Sequence, residues 1–219
     1  MGTIANILSW GAGSVVGSQV TSRAACHYRP RPMPHQFAKA LDNPLRLRYR
    51  DPSETLGMYG FVAGMTVMDA GCGTGLFTVD MARMVGAEGI VHAVDIQVPM
   101  LRKTEARVHA AGVADRVRLH HCGLNALPLE DDSVDLAVLI ATLPQIPDRL
   151  GALLELRRVL KPGARIVVSE ELPDPAYVPY GVTASWLEDA GFRKVARKGL
   201  LFCYSLIYVN EKGERAVGV

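Results

Sequence analysis

Little in this chain points to a metal centre or a disulfide scaffold. Its 219 residues include four cysteines, Cys26, Cys72, Cys122 and Cys203, far apart and without a CxxC pair. That spacing argues against a zinc ribbon or a disulfide framework and fits reduced thiols in a cytoplasm. There is no internal repeat or low-complexity tract, and hydrophobic residues (49%), charged residues (21%), 21 glycines and 13 prolines are ordinary for a globular chain. Charge is missing altogether from residues 1–22. Yet only nine of the eighteen residues from Thr3 to Val20 are Ala, Ile, Leu, Val or Trp, whereas a membrane span needs about 20 predominantly apolar positions. No basic residue precedes the stretch, as a signal peptide requires, and Asn6 stands where a myristoylation pattern has Ser or Thr. A loosely docked arm is expected instead. The length suits one domain with an appendage, divided into an arm and basic helical segment at 1–50, which could serve as a substrate lid, and a domain at 51–219.

Positive charge is unevenly placed. Residues 23–50 hold seven Lys or Arg against the single acid Asp42, a balance of +6, and the remainder carries 17 against 21, or −4. Such a segment attracts nucleic acid, anionic lipid or an anionic substrate, or is simply a solvated basic surface.

Asp51, Pro52 and Glu54 have the order of a helix N-cap, first turn and capping acid, predicting a helix to Tyr59. From Thr66 short apolar runs alternate with amphipathic stretches. Strands are predicted at Thr66–Ala70, Ile90–Asp95, Arg116–His121, Val134–Ile140, Ile166–Ser169, Phe192–Val195 and Leu201–Val209. Helices are predicted at Thr74–Val85, Pro99–Ala111, around Leu150–Leu160 until Lys161-Pro162-Gly163 stops it, and at Thr183–Ala190. This alternation predicts an α/β fold with right-handed crossovers and a mostly parallel sheet covered by helices on both faces.

The exit of the first strand reads VMDAGCGTGLFT, with Gly71, Gly73 and Gly75 at alternate positions. In open parallel sheets ligands bind beyond the carboxyl ends of the strands, and glycines there permit positive φ and close approach to the backbone. The following helix start would aim unpaired N–H groups at an anionic group. The third glycine of G-x-G-x-x-G is missing, since position 76 is Leu76, and no Gly-Lys-Ser/Thr phosphate loop is present. Asp69, two residues before Gly71, would repel pyrophosphate and accept from a cationic amino group. Asp95 ends the second strand, where a carboxylate holds ribose hydroxyls. An amino acid end, a ribose and no phosphate describe S-adenosylmethionine.

VMDAGCGTG followed by VHAVDIQVPML resembles the Rossmann-like methyltransferases. LNALPLEDDSVDLAVLIATLPQIPD and LLELRRVLKPGARIVVSEE are similar to the fourth and fifth strand regions of the ubiquinone and menaquinone biosynthesis type, so the resemblance covers roughly residues 50–209. It implies a Rossmann-like, seven-stranded, mostly parallel sheet whose last strand is antiparallel, and S-adenosyl-L-methionine as cofactor. It also implies that Gly71, Gly73 and Gly75, with Ala70 and Cys72 between them, approach the methionine part. Asp69 then meets its amino group, Asp95 the ribose, and Ile96 and Met100 one face of the adenine. Where the family has Gly-Asp against the adenine amino group, this chain has Gly123, Leu124 and Asn125, so that bond comes from Asn125, from backbone or from nothing. Ala141, at the end of the fourth strand, completes the cofactor set.

A methyl on sulfonium is already activated, so positioning supplies most of the acceleration and no catalytic residue is obligatory. Candidates for a base are His35 and Glu170, and candidates for the acceptor pocket are His27, Tyr28, His35, Phe37, Gln145 and Glu170. His120, His121 and Cys122 have the chemistry of metal ligands, but adjacent strand residues face opposite ways, and no metal is expected. After the fourth strand ATLP replaces the Asp/Asn-Pro-Pro-aromatic motif of adenine methyltransferases, and no Pro-Cys nucleophile occurs. The +6 segment is thus the one argument for nucleic acid, which is not expected as partner. The expected activity is methyl transfer to a small, apolar, phenolic or quinone-like metabolite by a cytoplasmic enzyme. Peripheral membrane contact through residues 1–50 is compatible with it. The alternatives are a non-catalytic cofactor sensor or scaffold, and a methyltransferase acting on nucleic acid or on a thiol or arsenite-type acceptor.

Overall fold

The computed structural model describes residue 21, residues 23 and 24, and residues 26–212. The expectation for residues 1–20, an arm or anchor, lies outside the described residues. Seven strands form one sheet in the order β3-β2-β1-β4-β5-β7-β6. They are β1 Thr66–Ala70, β2 Ile90–Asp95, β3 Val117–His121, β4 Val134–Ile140, β5 Leu160–Glu171, β6 Phe192–Leu200 and β7 Cys203–Asn210. β3, β2, β1, β4 and β5 pair in parallel, and β7 runs antiparallel to both β5 and β6. The chain order reverses between β1 and β4, which opens a crevice at the carboxyl ends of those strands.

Both faces of the sheet are buried, each by its own alternate residues. Met68 and Ala70 of β1, Ala137 and Leu139 of β4, and Ile166 and Val168 of β5 pack with Leu153 and Leu156 of helix Arg149–Val159 and Leu187 of helix Tyr180–Asp189. Val67, Leu136, Val138 and Val167 face the opposite way, against Met81, Ala82 and Val85 of helix Leu76–Val85 and Leu101 and Val108 of helix Val98–Ala110. Beyond Val168, the same alternation carries Glu170 to the first face and Ser169 and Glu171 to the second.

Several boundaries depart from the periodicity, among them the start of β7 at Cys203 in place of Leu201 and the end of β5 at Glu171 in place of Ser169, and three others have a clear cause. The helix expected from Thr74 begins at Leu76, because Gly73 (φ 56) and Gly75 (φ 76) keep the turn non-helical up to its N-cap. Lys161-Pro162-Gly163 does end the preceding helix at Val159, yet it lies inside β5. The ladder passes from Val134↔Leu160 directly to Leu136↔Arg165, so the Pro-Gly residues bulge out of register without breaking the strand. β6 continues past Val195 to Leu200 because it is an edge strand whose Arg193, Lys194, Arg197 and Lys198 are solvated, which hides it from any apolar pattern.

At the amino-terminal side, Asp51 caps helix Pro52–Gly57 by accepting from the Glu54 N–H at 2.9 Å. Arg50 beside it is 1% exposed and donates to Ser169 Oγ at 2.7 Å and Cys203 Sγ at 3.2 Å, while Arg46 donates to Glu171 at 2.7 Å. Two members of the basic segment are therefore internal cations fastening residues 44–50 to β5, and not a solvated surface.

Candidate active site

The glycine turn is pinned by its own backbone. Gly71 and Cys72 both donate to the Val94 carbonyl, at 2.8 and 3.0 Å, and Gly75 donates to that of Cys72 at 2.9 Å. Gly73 N–H donates to Asp95 Oδ2 at 3.0 Å, and Asp95 Oδ1 accepts from Gln97 N–H at 2.8 Å. These four amides of the turn itself are engaged within the fold and are not donors for a phosphate; the helix start expected to offer unpaired N–H groups lies beyond them, from Leu76. The glycines have separate purposes. A Cβ on Gly75 would lie 2.9 Å from Thr104 Cα, so this glycine serves helix packing, whereas a Cβ on Gly73 would project toward Leu41 across the cavity at 3.2 Å.

Above the turn lies a cavity of about 270 Å³. Gly71, Gly73, Asp95, Ile96 and Met100 line one end together with Gly123, Leu124 and Asn125. Ala141, Thr142, Gln145, Ile146 and Asp174 line the other, beyond β4 and β5, and Pro32, Met33 and Leu41 close over the space between. Met33 is held from both sides: its N–H donates to Gln145 Oε1 at 2.8 Å and its carbonyl accepts from Gln97 Nε2 at 2.9 Å. Burial pushes the Asp95 carboxyl above its ordinary value, while the Gln97 and Gly73 N–H groups pull it back.

Several expected site residues lie off this wall. Asp69 is 2% exposed beneath the turn, with Oδ2 accepting from Thr78 Oγ1 at 2.6 Å; burial pushes it up to about 7. Cys72 is packed against Thr104, and burial raises its thiol well above its usual value, so it is a neutral core group. Ala70 is wholly buried in the core. Tyr28 and Phe37 are 82% and 62% exposed, and His27 is exposed as well. His35 opens the short 3-10 helix His35–Ala40, whose one buried member is Ala38. This segment enters the site through Pro32 and Met33 and not through its rings.

Glu170 departs furthest. It lies within β5, wholly buried, and neither carboxylate oxygen has a hydrogen-bond partner. Burial, then the charge of Asp174, raises it well above the usual carboxylate range, so it is a neutral acid behind the cavity. The carboxylate that reaches the other end of the cavity, opposite Asp95, is Asp174, missed from the sequence. It accepts from the Ala176 N–H at 2.6 Å and lies 3.4 Å from Gln145 Nε2. Burial raises it, Glu171 adds to the rise, and Arg46 and Arg23 oppose it. Its position directly after the fifth strand, in LPDP, was the available signal, as was Gln97 standing two residues after Asp95.

Asn125 donates through Nδ2 to the Asp148 carbonyl at 2.9 Å and carboxylate at 3.0 Å, which leaves Oδ1 as the acceptor of that amide. His121 sits against the Ile96 carbonyl at 3.1 Å, and His120 against His92 at 2.9 Å. Among the described residues no three His, Cys, Asp or Glu converge as a metal site, and no helix is long and apolar enough to cross a membrane.

A cavity at the β1/β4 reversal, with an acid at the end of β2 and glycines under it, narrows the fold to a known type. The sequence profile of the ubiE/COQ5 methyltransferase family matches residues 49–182. The chain belongs to that family. Among ubiE/COQ5 relatives it is 38% identical over 117 residues to a demethylmenaquinone methyltransferase of Lactiplantibacillus plantarum, covering 53% of this chain and 49% of that one. It is 36% identical over 116 residues to the ubiquinone/menaquinone biosynthesis C-methyltransferase UbiE of a Marinomonas strain, covering 53% and 46%. The chain thus spans about half the length of the curated relatives it matches. A SAM-dependent methyltransferase of Aquifex aeolicus superposes with a TM-score of 0.76 at 29% identity, over 81% of this chain and 99% of that one. The matched family region contains the glycine turn, Asp95, Gln145 and Asp174, whereas Pro32, Met33 and Leu41 lie before it.

Proposed function

We propose that this protein transfers the methyl group of S-adenosylmethionine to a small, largely apolar acceptor bearing a phenolic or quinol-type hydroxyl. The observation that carries the proposal is the single cavity joining the Gly73–Asp95 end to the Asp174 end under Met33. The residues fit the cofactor. Each Asp95 oxygen takes one backbone N–H and keeps lone pairs for ribose hydroxyls. Met100 and Leu124 give the adenine an apolar slot, and Asn125 Oδ1 can accept from its amino group. Bound there, S-adenosylmethionine supplies a methyl on a sulfonium, displaced in line with loss of charge.

The chain's contribution is placement and a proton acceptor. Holding acceptor and methyl in near-attack geometry is worth up to about 7 to 11 kcal/mol. Asp174 takes the hydroxyl proton of the acceptor: the O–H bond breaks toward its carboxylate, and the released pair makes the ring carbon a better nucleophile. Once the carbon–methyl bond has formed, the C–H bond of that ring carbon breaks, its proton passes to solvent, and Asp174 returns its own proton to the oxygen, which restores the aromatic ring. Because burial raises Asp174, its basicity lies nearer to that of a phenol than a free carboxylate's, which favours transfer. Residues 32–42 act as the lid of the domain from 51 onward. The chemistry in the names of the relatives, demethylmenaquinone methylation and ubiquinone/menaquinone C-methylation, supports a quinol ring as acceptor, with ring carbon as the methylated atom.

A transfer assay with labelled cofactor and a short-chain naphthoquinol tests this reading. Asp174→Asn is expected to lower kcat by about 10² to 10⁴-fold with cofactor affinity unchanged. Undiminished turnover in that variant would remove Asp174 from the mechanism, and absence of cofactor binding in the parent would remove the function.

A further inference from the structure

The tip of the β6–β7 hairpin is at odds with its own local structure. Gly199 pairs with Tyr204 and Leu200 with Cys203, so Leu201 and Phe202 form the two-residue loop. Such loops favour Asn-Gly, Asp-Gly or Gly-containing pairs. Here the positive φ (+79°) falls on Gly199, where a Cβ would lie 2.3 Å from the Cys203 carbonyl oxygen, and the loop is left to two large apolar residues. Leu200, Leu201 and Phe202 are 65%, 65% and 53% exposed. Leu172, whose N–H donates to the Phe202 carbonyl at 2.6 Å, is 44% exposed beside them. Single exposed apolar residues are unremarkable in a surface, but four together mark a contact.

Position and charge say what the contact is. β6 runs parallel to β5, both being antiparallel to β7, so the tip stands at the carboxyl end of the sheet, where the cavity lies. Tyr177 hydroxyl donates to the Leu201 carbonyl, and Leu172 is two residues from the cavity-lining Asp174. The strand behind the tip carries Arg197 and Lys198 next to the tip, and Lys194 and Arg193 at its far end, where Arg193 pairs with Glu211; the Arg23 guanidinium donates to the Leu172 carbonyl. A cationic edge by itself guards against strand pairing, yet it gives no reason for an apolar end. In a two-fold contact with a second copy the cations of both strands would be brought together. An anionic bilayer suits both features, with apolar side chains in the acyl boundary and cations at the headgroups.

We propose that Leu200, Leu201 and Phe202, with Leu172, dock this protein on an anionic lipid surface beside the acceptor end of its cavity. An acceptor with an apolar tail then leaves that tail in the bilayer while its ring enters. That consequence rests on the function proposed above, whereas the docking does not.

Flotation of the full chain with vesicles of phosphatidylglycerol and phosphatidylcholine, against phosphatidylcholine alone, tests the surface. The parent is expected to float with the anionic vesicles and to lose partition as salt rises. Combined Leu200→Ser, Leu201→Ser and Phe202→Ser should lower partition at least tenfold, and Lys198→Ala roughly fivefold, as one cation near the surface contributes. Both variants should bind S-adenosylhomocysteine as the parent does, which shows that they are folded. Flotation of the triple variant equal to the parent's, or a parent that dimerises through the tip and stays off vesicles, overturns the proposal. A parent that floats and binds no cofactor sinks the methyl-transfer reading and leaves docking standing.

Discussion

The main-chain N–H of Met33 donates to the side-chain oxygen of Gln145 at 2.8 Å across 112 residues of sequence. Gln97 completes a clamp by donating to the Met33 carbonyl at 2.9 Å. The roof of the cavity is therefore held by two side chains that themselves stand at the exits of β2 and β4. Each bond is worth about 0.5 to 1.5 kcal/mol net, so Gln97→Ala or Gln145→Ala should speed cofactor release about 2 to 12-fold, and the double variant more. Stopped-flow dissociation of S-adenosylhomocysteine reads this directly. Rates equal to the parent's would mean that the strap opens independently of the clamp.

Glu170 should make stability depend on pH in a recognisable way. Its folded carboxyl is raised well above the ordinary 4.5 by burial and by Asp174. The folded chain thus keeps a proton that the unfolded chain releases, and stability from this group falls as pH rises past about 4.5 until the folded group itself ionises. Glu170→Gln is neutral throughout. Its thermal midpoint relative to the parent should climb as pH rises from about 5 and level off only where the folded carboxyl ionises, and a difference constant from pH 5 upward would show Glu170 to be ionised and paired in solution.

Ala141 carries strain at the exit of β4, with φ at 52°. A left-handed backbone at a residue with a Cβ costs roughly 1 to 2 kcal/mol, part of which glycine returns to the flexible unfolded chain. Ala141→Gly is expected to raise stability by up to about 1 kcal/mol, or about 2 to 4 °C for a chain of this size. Because Ala141 and Thr142 wall the cavity, the same variant should lose turnover as it gains stability. A lower melting temperature would show that the alanine methyl packs favourably enough to outweigh its conformation.

The sheet was legible in the sequence because parallel strands buried on both faces appear as plain apolar runs, and the glycine turn because positive φ selects its residue type. The order of Gly71 and Asp95 also pointed to the end of the sheet at which the cavity opens. The acceptor side was not legible, since it depends on partners far apart in the chain. Arg46 looked like one more solvated cation until Glu171, 125 residues on, proved to be its partner. Met33 contributes backbone bonds that no side-chain motif advertises, although the prolines at 30, 32 and 34 do announce an extended segment. Glu170 was misread for a simple reason: β5 runs two residues longer than its apolar pattern, to Glu171, and so encloses an acid that appeared to lie in a loop.

Calorimetric titration of S-adenosylhomocysteine into the parent and into Asp95→Ala tests the central claim, that the cavity over Gly73 seats this cofactor by its ribose. Two hydrogen bonds to a charged group are each worth about 1.5 to 3 kcal/mol, so a folded Asp95→Ala chain should bind at least about 100-fold more weakly. Equal affinity in the two proteins, or no binding by the parent, would contradict it.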